Sequence, residues 1–243
     1  MKTIAIITAM REEAEIIVSR FSLVKTKNLT NISVFEGEFV SKNPLKIILV
    51  LSGIGKIQAA MATTFLLENY KNPDKIINIG IAGNTTISRL TIGDVLLPTE
   101  IVQHDMYLPF DGAHLDYAKK PISIAPPEIE NSFDRFSVIH GGVCATADEF
   151  VDNLQKIASL REQFEADVCE MEAFAIASVA REYNILNRCI FIKAVSDGAD
   201  NEAKEAHMNN LEFAMNNSVD VLEVILKIIQ NPHFGEFFIK KIQ

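Results

Sequence analysis

Short β-branched runs alternate with amphipathic stretches along most of the chain. Residues 4–8, from Ile4 to Thr8, form a short apolar run that predicts a buried strand. The charged, amphipathic stretch 11–21 that follows predicts a helix. Strands are predicted over 32–39 and 45–51, parted by a turn at Lys42, Asn43 and Pro44. Gly53 and Gly55 lead into a helix ending near Asn69. Further strands are predicted over 75–79, 94–102, 136–144, 167–170 and 189–195, with helices over 148–160 and 173–183 among them. The last helix is the best marked: Leu211, Met215, Val219, Leu222, Ile225 and Ile229 recur at three- or four-residue steps and form one apolar stripe. Residues after Asn231 form a tail to which no element is assigned.

This alternation predicts an α/β layered fold, with helices on both faces of a sheet. At 243 residues the chain suits one domain spanning 1–243. In such sheets ligands gather beyond strand ends, so the loops after each strand are where chemistry is expected. The stretch 105–127 carries Gly112 and four prolines (Pro109, Pro121, Pro126 and Pro127) and reads as a long irregular excursion. Loops of that length in compact domains usually have a function. There is no internal repeat and no low-complexity segment.

Composition narrows the function classes. The formal net charge is −9, which argues against a nucleic-acid partner and against an anionic membrane surface. No segment approaches the about 20 apolar residues of a membrane span. The apolar run at 3–10 is too short for a signal peptide and is cut off by Arg11, Glu12 and Glu13. Cys144, Cys169 and Cys189 lie in apolar surroundings without a paired spacing, and they read as reduced thiols of a cytoplasmic protein. The five histidines are scattered, so no metal and no cofactor are expected.

Five strand-end segments carry candidate chemistry. Glu12 and Glu13 open the first helix, where carboxylates also simply favour the helix dipole. Ser52-Gly53-Ile54-Gly55-Lys56 lets backbone amides approach an anion or a ligand, although a plain tight turn needs the same glycines. Gly80-Ile81-Ala82-Gly83 again places small residues after a buried strand. Glu170-Met171-Glu172-Ala173 sets two carboxylates in an apolar context, which is costly unless they hold something. Asp197, at the end of another buried strand, suits a catalytic acid or a helix cap. His104-Asp105 is explained by a loop hydrogen bond, and no serine-hydrolase elbow is present.

These segments, joined by Gly93-Asp94, Gln103-His104-Asp105 and Ala145-Thr146-Ala147-Asp148-Glu149-Phe150, occur in an order that resembles the nucleoside phosphorylase/hydrolase superfamily. The chain is most similar to the 5′-methylthioadenosine/S-adenosylhomocysteine nucleosidases, from Lys2 to about Ile229. The resemblance implies a three-layer αβα sandwich around a twisted mixed sheet. It also implies cleavage of the N-glycosidic bond of 5′-methylthioadenosine and S-adenosylhomocysteine, with 5′-deoxyadenosine as a further substrate. That chemistry needs an acid at the purine N7, a carboxylate on the ribose hydroxyls and a base that orients water. By resemblance, Glu13 is the base, Asp197 the acid held by Ser196, and Glu172 the ribose ligand with Met171 beneath the sugar. Phe150 packs on the base and the backbone at Val151 reads its edge. Met10, Ile54, Ile81, Gly83 and Glu170 complete the substrate-binding set. The resemblance also implies a homodimer in which the loop around Phe110 completes the neighbour's site.

Three features depart from the family pattern. Ile81 stands where the family carries serine, and the loop to Phe110 is one residue short. The late aromatic of the family falls at Phe213 or Asn210. A nucleoside phosphorylase is the nearest rival reading, but Glu12 and Glu13 would repel phosphate. A non-catalytic nucleoside-binding homologue is the second rival, and Ile81 is the feature that keeps it open.

Overall fold

The computed structural model describes residues 1–40, 43–86, 89–110, 112–129 and 133–231. In chain order the elements are β1 (Lys2–Thr8), α1 (Arg11–Phe21), β2 (Val24–Asn28), β3 (Ser33–Phe39), β4 (Leu45–Leu51), α2 (Lys56–Asn69) and β5 (Lys75–Asn84). There follow β6 (Val95–Leu97), β7 (Glu100–Gln103), α3 (Asp116–Lys119), β8 (Ile122–Ser123), β9 (Val138–His140) and β10 (Val143–Thr146). The chain continues through α4 (Leu154–Phe164), β11 (Val168–Glu170), α5 (Ala173–Glu182), β12 (Cys189–Asp197) and α6 (Ala203–Gln230). The tail after Asn231 and Lys42 of the expected turn lie outside the described residues.

Among the described residues, twelve strands form one mixed sheet. Alternate residues of β1 supply two separate cores. Ala5 and Ile7 pack with Ala59, Ala62 and Leu66 of α2 and with Ile176 and Ala177 of α5. Ile4 and Ile6 pack with Ala14 and Ile17 of α1 and with Met215, Val219 and Leu222 of α6. The period of two along a strand sends neighbours to opposite faces. Both faces are covered by helices, which is why β1 and β4 read as unbroken apolar runs. The expected αβα layering is therefore the observed one.

Strand β5 is the junction of the sheet. It pairs with β12 along one edge, from Ile76 to Gly83. Along the other edge it pairs with β1 only as far as Asn78, and then with β11 at Gly83 and Asn84. Between these two pairings, residues 79–82 face no strand on this edge among the described residues. The sheet opens there, at the kind of topological break where open α/β sheets bind ligands.

Several boundaries differ from the sequence reading for physical reasons. The expected strand 94–102 is two strands, parted at Pro98, which has no N–H for a ladder. The expected strand 136–144 is likewise two, parted by Gly141 and Gly142 at φ +81° and +118°. The two breaks coincide, because β6 pairs with β9 while β7 pairs with β10 in the other branch of the sheet. Strand β2 was not expected: all five of its residues are exposed, as suits a charged edge strand with no apolar face to read. Strand β5 runs five residues beyond its expected end, so Gly80-Ile81-Ala82-Gly83 belongs to the strand and not to a loop after it. The helix expected over 148–160 begins at Leu154, capped by the Asn153 side chain on Lys156 N. Asp148 to Asn153 instead form a loop, because Asp148 accepts from Lys56 N of α2 and donates its own N–H to Asp105. Helix α6 begins eight residues before Leu211.

Candidate active site

A cavity sits in the opening of the sheet, at the carboxyl ends of β1, β5, β11 and β12. It is lined by Met10, Glu13, Ile54, Ile81, Gly83, Phe150, Val151, Glu170, Met171, Glu172, Ser196 and Asp197, together with Ala9, Ala82, Glu149, Cys169 and His207. Of the residues to which the resemblance gives a catalytic or substrate-binding place, only Phe110 is not among the lining. It lies on the excursion after β7 and is 64% exposed.

Glu13 and Glu12 separate as their phase on α1 requires. Glu12 is exposed, whereas Glu13 is 3% exposed and faces the cavity. Its Oε2 accepts from Thr8 Oγ1 at 2.7 Å, Ala9 N at 3.1 Å and Met10 N at 3.0 Å. Its Oε1 accepts from Ile81 N at 3.1 Å, which leaves this oxygen further acceptor capacity. The departure at Ile81 leaves this support intact, because the donor is the backbone. Gly80 makes the approach possible: a Cβ there would sit 2.8 Å from Glu13 Oε1.

Asp197 ends β12, and the register against β5 slips between Val195 and Asp197. Such an irregularity re-aims a side chain. The carboxylate is 2% exposed, accepts from Ser196 Oγ at 2.7 Å and from Ala199 N at 2.9 Å, and approaches Gly83 closely. A Cβ on Gly83 would lie 3.0 Å from Asp197 Oδ1. The two glycines of Gly80-Ile81-Ala82-Gly83 thus each leave room for one carboxylate.

Glu172 follows β11 and accepts from Gly55 N at 2.8 Å. Lys56 N, the next amide, donates to Asp148 Oδ1 at 2.7 Å. The amides of the glycine loop at the start of α2 are therefore taken up by acceptors as its sequence suggests, but these acceptors are the protein's own carboxyl groups. Burial, and then the charge of Glu170, push Glu172 up to about 8, against the opposing pull of Lys193 and the Gly55 amide.

Glu170 has a different position from its neighbours. Its carboxylate accepts from Lys193 Nζ at 2.6 Å, from Thr146 Oγ1, from Glu172 N at 3.1 Å and from Ala173 N. Its oxygens are taken up by the protein, so this residue shapes the floor of the cavity. Lys193 is 1% exposed in the middle of β12. Burial disfavours its ammonium, but Glu170 and the groups around it more than offset this, and its pKa is raised. A lone lysine in an apolar strand was a legible sign of such a pair, and the sequence reading passed over it.

His207 was also missed. The late aromatic was expected at Phe213 or Asn210, but Phe213 abuts Gly93 and Asn210 donates to Ser196 O. His207, one turn earlier on α6, reaches the cavity because that helix starts early. Its ring meets Phe150 edge-on, with centroids 5.5 Å apart. The three cysteines are buried and unpaired. Burial pushes all of them up, Cys189 to about 12, so none is poised as a thiolate. Among the described residues no cluster of His, Cys, Asp or Glu is arranged to hold a metal ion.

Residues 3–230 match the phosphorylase superfamily. The chain is 33% identical over 241 residues to the 5′-methylthioadenosine/S-adenosylhomocysteine nucleosidase of Bacillus subtilis, covering 95% of this chain and 99% of that protein. The Bacillus cereus nucleosidase is 32% identical over 92% of this chain and 98% of its own length. The structure is also similar to the Neisseria meningitidis nucleosidase in complex with methylthio-immucillin-A, with a TM-score of 0.79 and 28% identity over 93% of this chain and 99% of that one. It is similar as well to the Streptococcus pyogenes S-adenosylhomocysteine nucleosidase in complex with 5-methylthiotubericidin, with a TM-score of 0.75 and 28% identity over 93% and 96% of the two chains. An α/β sheet opened at β5, a cavity ringed by carboxylates and this degree of likeness lead to one conclusion: the chain belongs to the 5′-methylthioadenosine/S-adenosylhomocysteine nucleosidases of the phosphorylase superfamily.

Proposed function

We propose that this enzyme hydrolyses the N-glycosidic bond of 5′-methylthioadenosine and S-adenosylhomocysteine, and of 5′-deoxyadenosine, releasing adenine and the corresponding ribose. The observation that carries the reading is the pairing of two buried carboxylates, Glu13 and Asp197, across one cavity whose described lining holds no lysine or arginine. A phosphorylase needs cations for its phosphate nucleophile. This lining favours neutral water.

In this reading Asp197 gives its proton to the purine N7 as the bond from the sugar carbon to N9 breaks and its electron pair moves into the ring. Ser196 and the Ala199 amide fix the carboxyl in place. Glu13 takes a proton from water while the water oxygen bonds to the sugar carbon. Its Oε1, with one protein donor, is the oxygen free to do so. Glu172 holds the ribose hydroxyls with Met171 beneath the sugar, and Phe150 and Val151 bracket the base. Met10, Ile54 and Ile81 form the apolar walls, Gly83 gives Asp197 its room, and Glu170 holds the floor. No cofactor or metal enters these steps.

We place the reaction in the cytoplasm, on the strength of three unpaired buried thiols, and read residues 1–243 as one domain built on the continuous sheet. Among the described residues no helix is long and apolar enough to cross a membrane. We also propose a homodimer. Met106, Tyr107 and Phe110 are exposed on the excursion after β7, and Ile57 and Met61 are exposed on α2. A groove lined by Ile57, Met106, Tyr117 and Tyr183 joins these elements. Apolar surface of this extent marks an interface. A second copy would bring its Phe110 over the 5′-thio end of this site.

Methylthioadenosine in phosphate-free buffer should release adenine with free thioribose. Asp197→Asn should lose at least about 10²-fold in rate with an unchanged fold, since an amide cannot deliver the proton. A product phosphorylated at the anomeric carbon in phosphate buffer, or an Asp197→Asn rate within about threefold of the original, would overturn the reading. Glu13→Gln should lose orders of magnitude where Glu12→Gln stays near the original rate, and a larger loss at Glu12 would reject the assignment. Phe110→Ala should weaken 5′-alkylthio substrates more than adenosine. Light scattering that finds a fully active monomer at assay concentration would contradict the dimer.

A further inference from the structure

His207 faces two ways. It lines the buried cavity and also the open groove between α1 and α6, and its side chain is 21% exposed. Its Nδ1 lies 3.7 Å from Asp197 Oδ2. The hydrogen-bond donors to that carboxyl are Ser196 Oγ and Ala199 N, on residues that are themselves fully buried. Among the described groups around Asp197, the imidazole is the one that also lines the open groove.

The proton balance of hydrolysis gives such a link a task. In each turnover Asp197 gives one proton to the purine, which leaves with the product. The water gives another to Glu13 as its oxygen bonds to the sugar carbon. The enzyme is left with Asp197 one proton short and Glu13 holding one in excess. Glu13 and Asp197 stand on different elements, and each accepts its hydrogen bonds from its own set of donors. Asp197, 2% exposed, must regain a proton before the next turnover, and Glu13 must give one up to water.

We propose that His207 is the proton relay that recharges Asp197 from the groove. The imidazole takes up a proton from solvent at one ring nitrogen and passes one from Nδ1 to Asp197 Oδ2, returning to its neutral form. Histidine is the side chain whose proton exchange falls in the physiological range. The 3.7 Å separation is longer than a hydrogen bond, but catalytic contacts in unliganded enzymes are often long and tighten with substrate. The charged groups that share the cavity lining with His207 are Glu13, Glu149, Glu170, Glu172 and Asp197, and those that share the groove are Arg11, Glu12, Glu15 and Arg20 of α1, and Glu212 of α6. The relay rests on the reading of Asp197 as the acid. His207 acts through Asp197 and is a positioning and supply residue, not a catalytic one.

Rapid-quench kinetics with 5′-methylthioadenosine separate the first turnover from those that follow. In His207→Gln and His207→Ala, at saturating substrate, the first adenine per site should leave within about threefold of the original rate. Later turnovers should slow at least about tenfold. Added imidazole should restore the later turnovers of His207→Ala, where a ring-sized space opens beside Phe150. Two outcomes overturn the relay: first and later turnovers falling together with a raised KM and no response to imidazole, which marks a packing role, or later turnovers that do not slow. Asp197→Asn run alongside tests the underlying reading separately. It should show no first turnover, and a retained one would remove Asp197 as the acid whatever His207 does.

Discussion

The Lys193–Glu170 ion pair is the contact on which the rest of the site depends. Both side chains are about 2% exposed, at an N–O distance of 2.6 Å. Removing two charges from water costs several kcal/mol each, and the pair is tolerable only when its remaining hydrogen bonds are met. Thr146 of β10, Glu172 N and Ala173 N at the start of α5 meet those of the carboxylate. One carboxylate therefore ties β10, β12 and α5 together directly below the cavity. Glu172, two residues on, is oriented by the same contacts and ends its reach at the Gly55 amide. Lys193 offsets part of the charge of Glu170, and Glu172 is pushed up to about 8, so Glu13, Glu172 and Asp197 share a cavity whose described lining holds no lysine or arginine.

The opening in the sheet makes this crowding useful. On the edge away from β12, strand β5 passes from β1 to β11 with no strand partner at residues 79–82 among the described residues, and the Ile81 N–H donates to Glu13. An orphaned amide in a sheet is normally a cost. Here it becomes a fixed donor that aims a carboxylate. Gly80 and Gly83 leave out the two Cβ atoms that would block Glu13 and Asp197. Backbone and carboxylates are fitted to each other before any substrate arrives, which is how preorganised sites limit reorganisation during reaction.

Much of this was legible in the sequence, and the exceptions have physical reasons. Elements buried against a regular face were read almost to the residue, as with α1 at 11–21 and β4 at 45–51. Strand β2 had no apolar face to announce it, and the breaks at Pro98 and Gly141-Gly142 depend on which sheet branch each half joins. The carboxylates stood out because charge in an apolar context is rare, and they do converge on one cavity. Glu170 stood out for the same reason, but its partner Lys193 lies 23 residues away along the chain and was not matched to it. His207 carries no local signal at all. Its place depends on where α6 begins, and the stripe from Leu211 onward did not reveal the first two turns.

Denaturant unfolding of Lys193→Met, Glu170→Gln and the double variant tests the dependence on this pair most directly. Lys193→Met alone leaves a buried carboxylate without its cation and should cost about 3–5 kcal/mol. Adding Glu170→Gln removes the stranded charge and should recover most of that loss, a strongly non-additive cycle. Losses that simply add, as for two independent sites, would contradict the account.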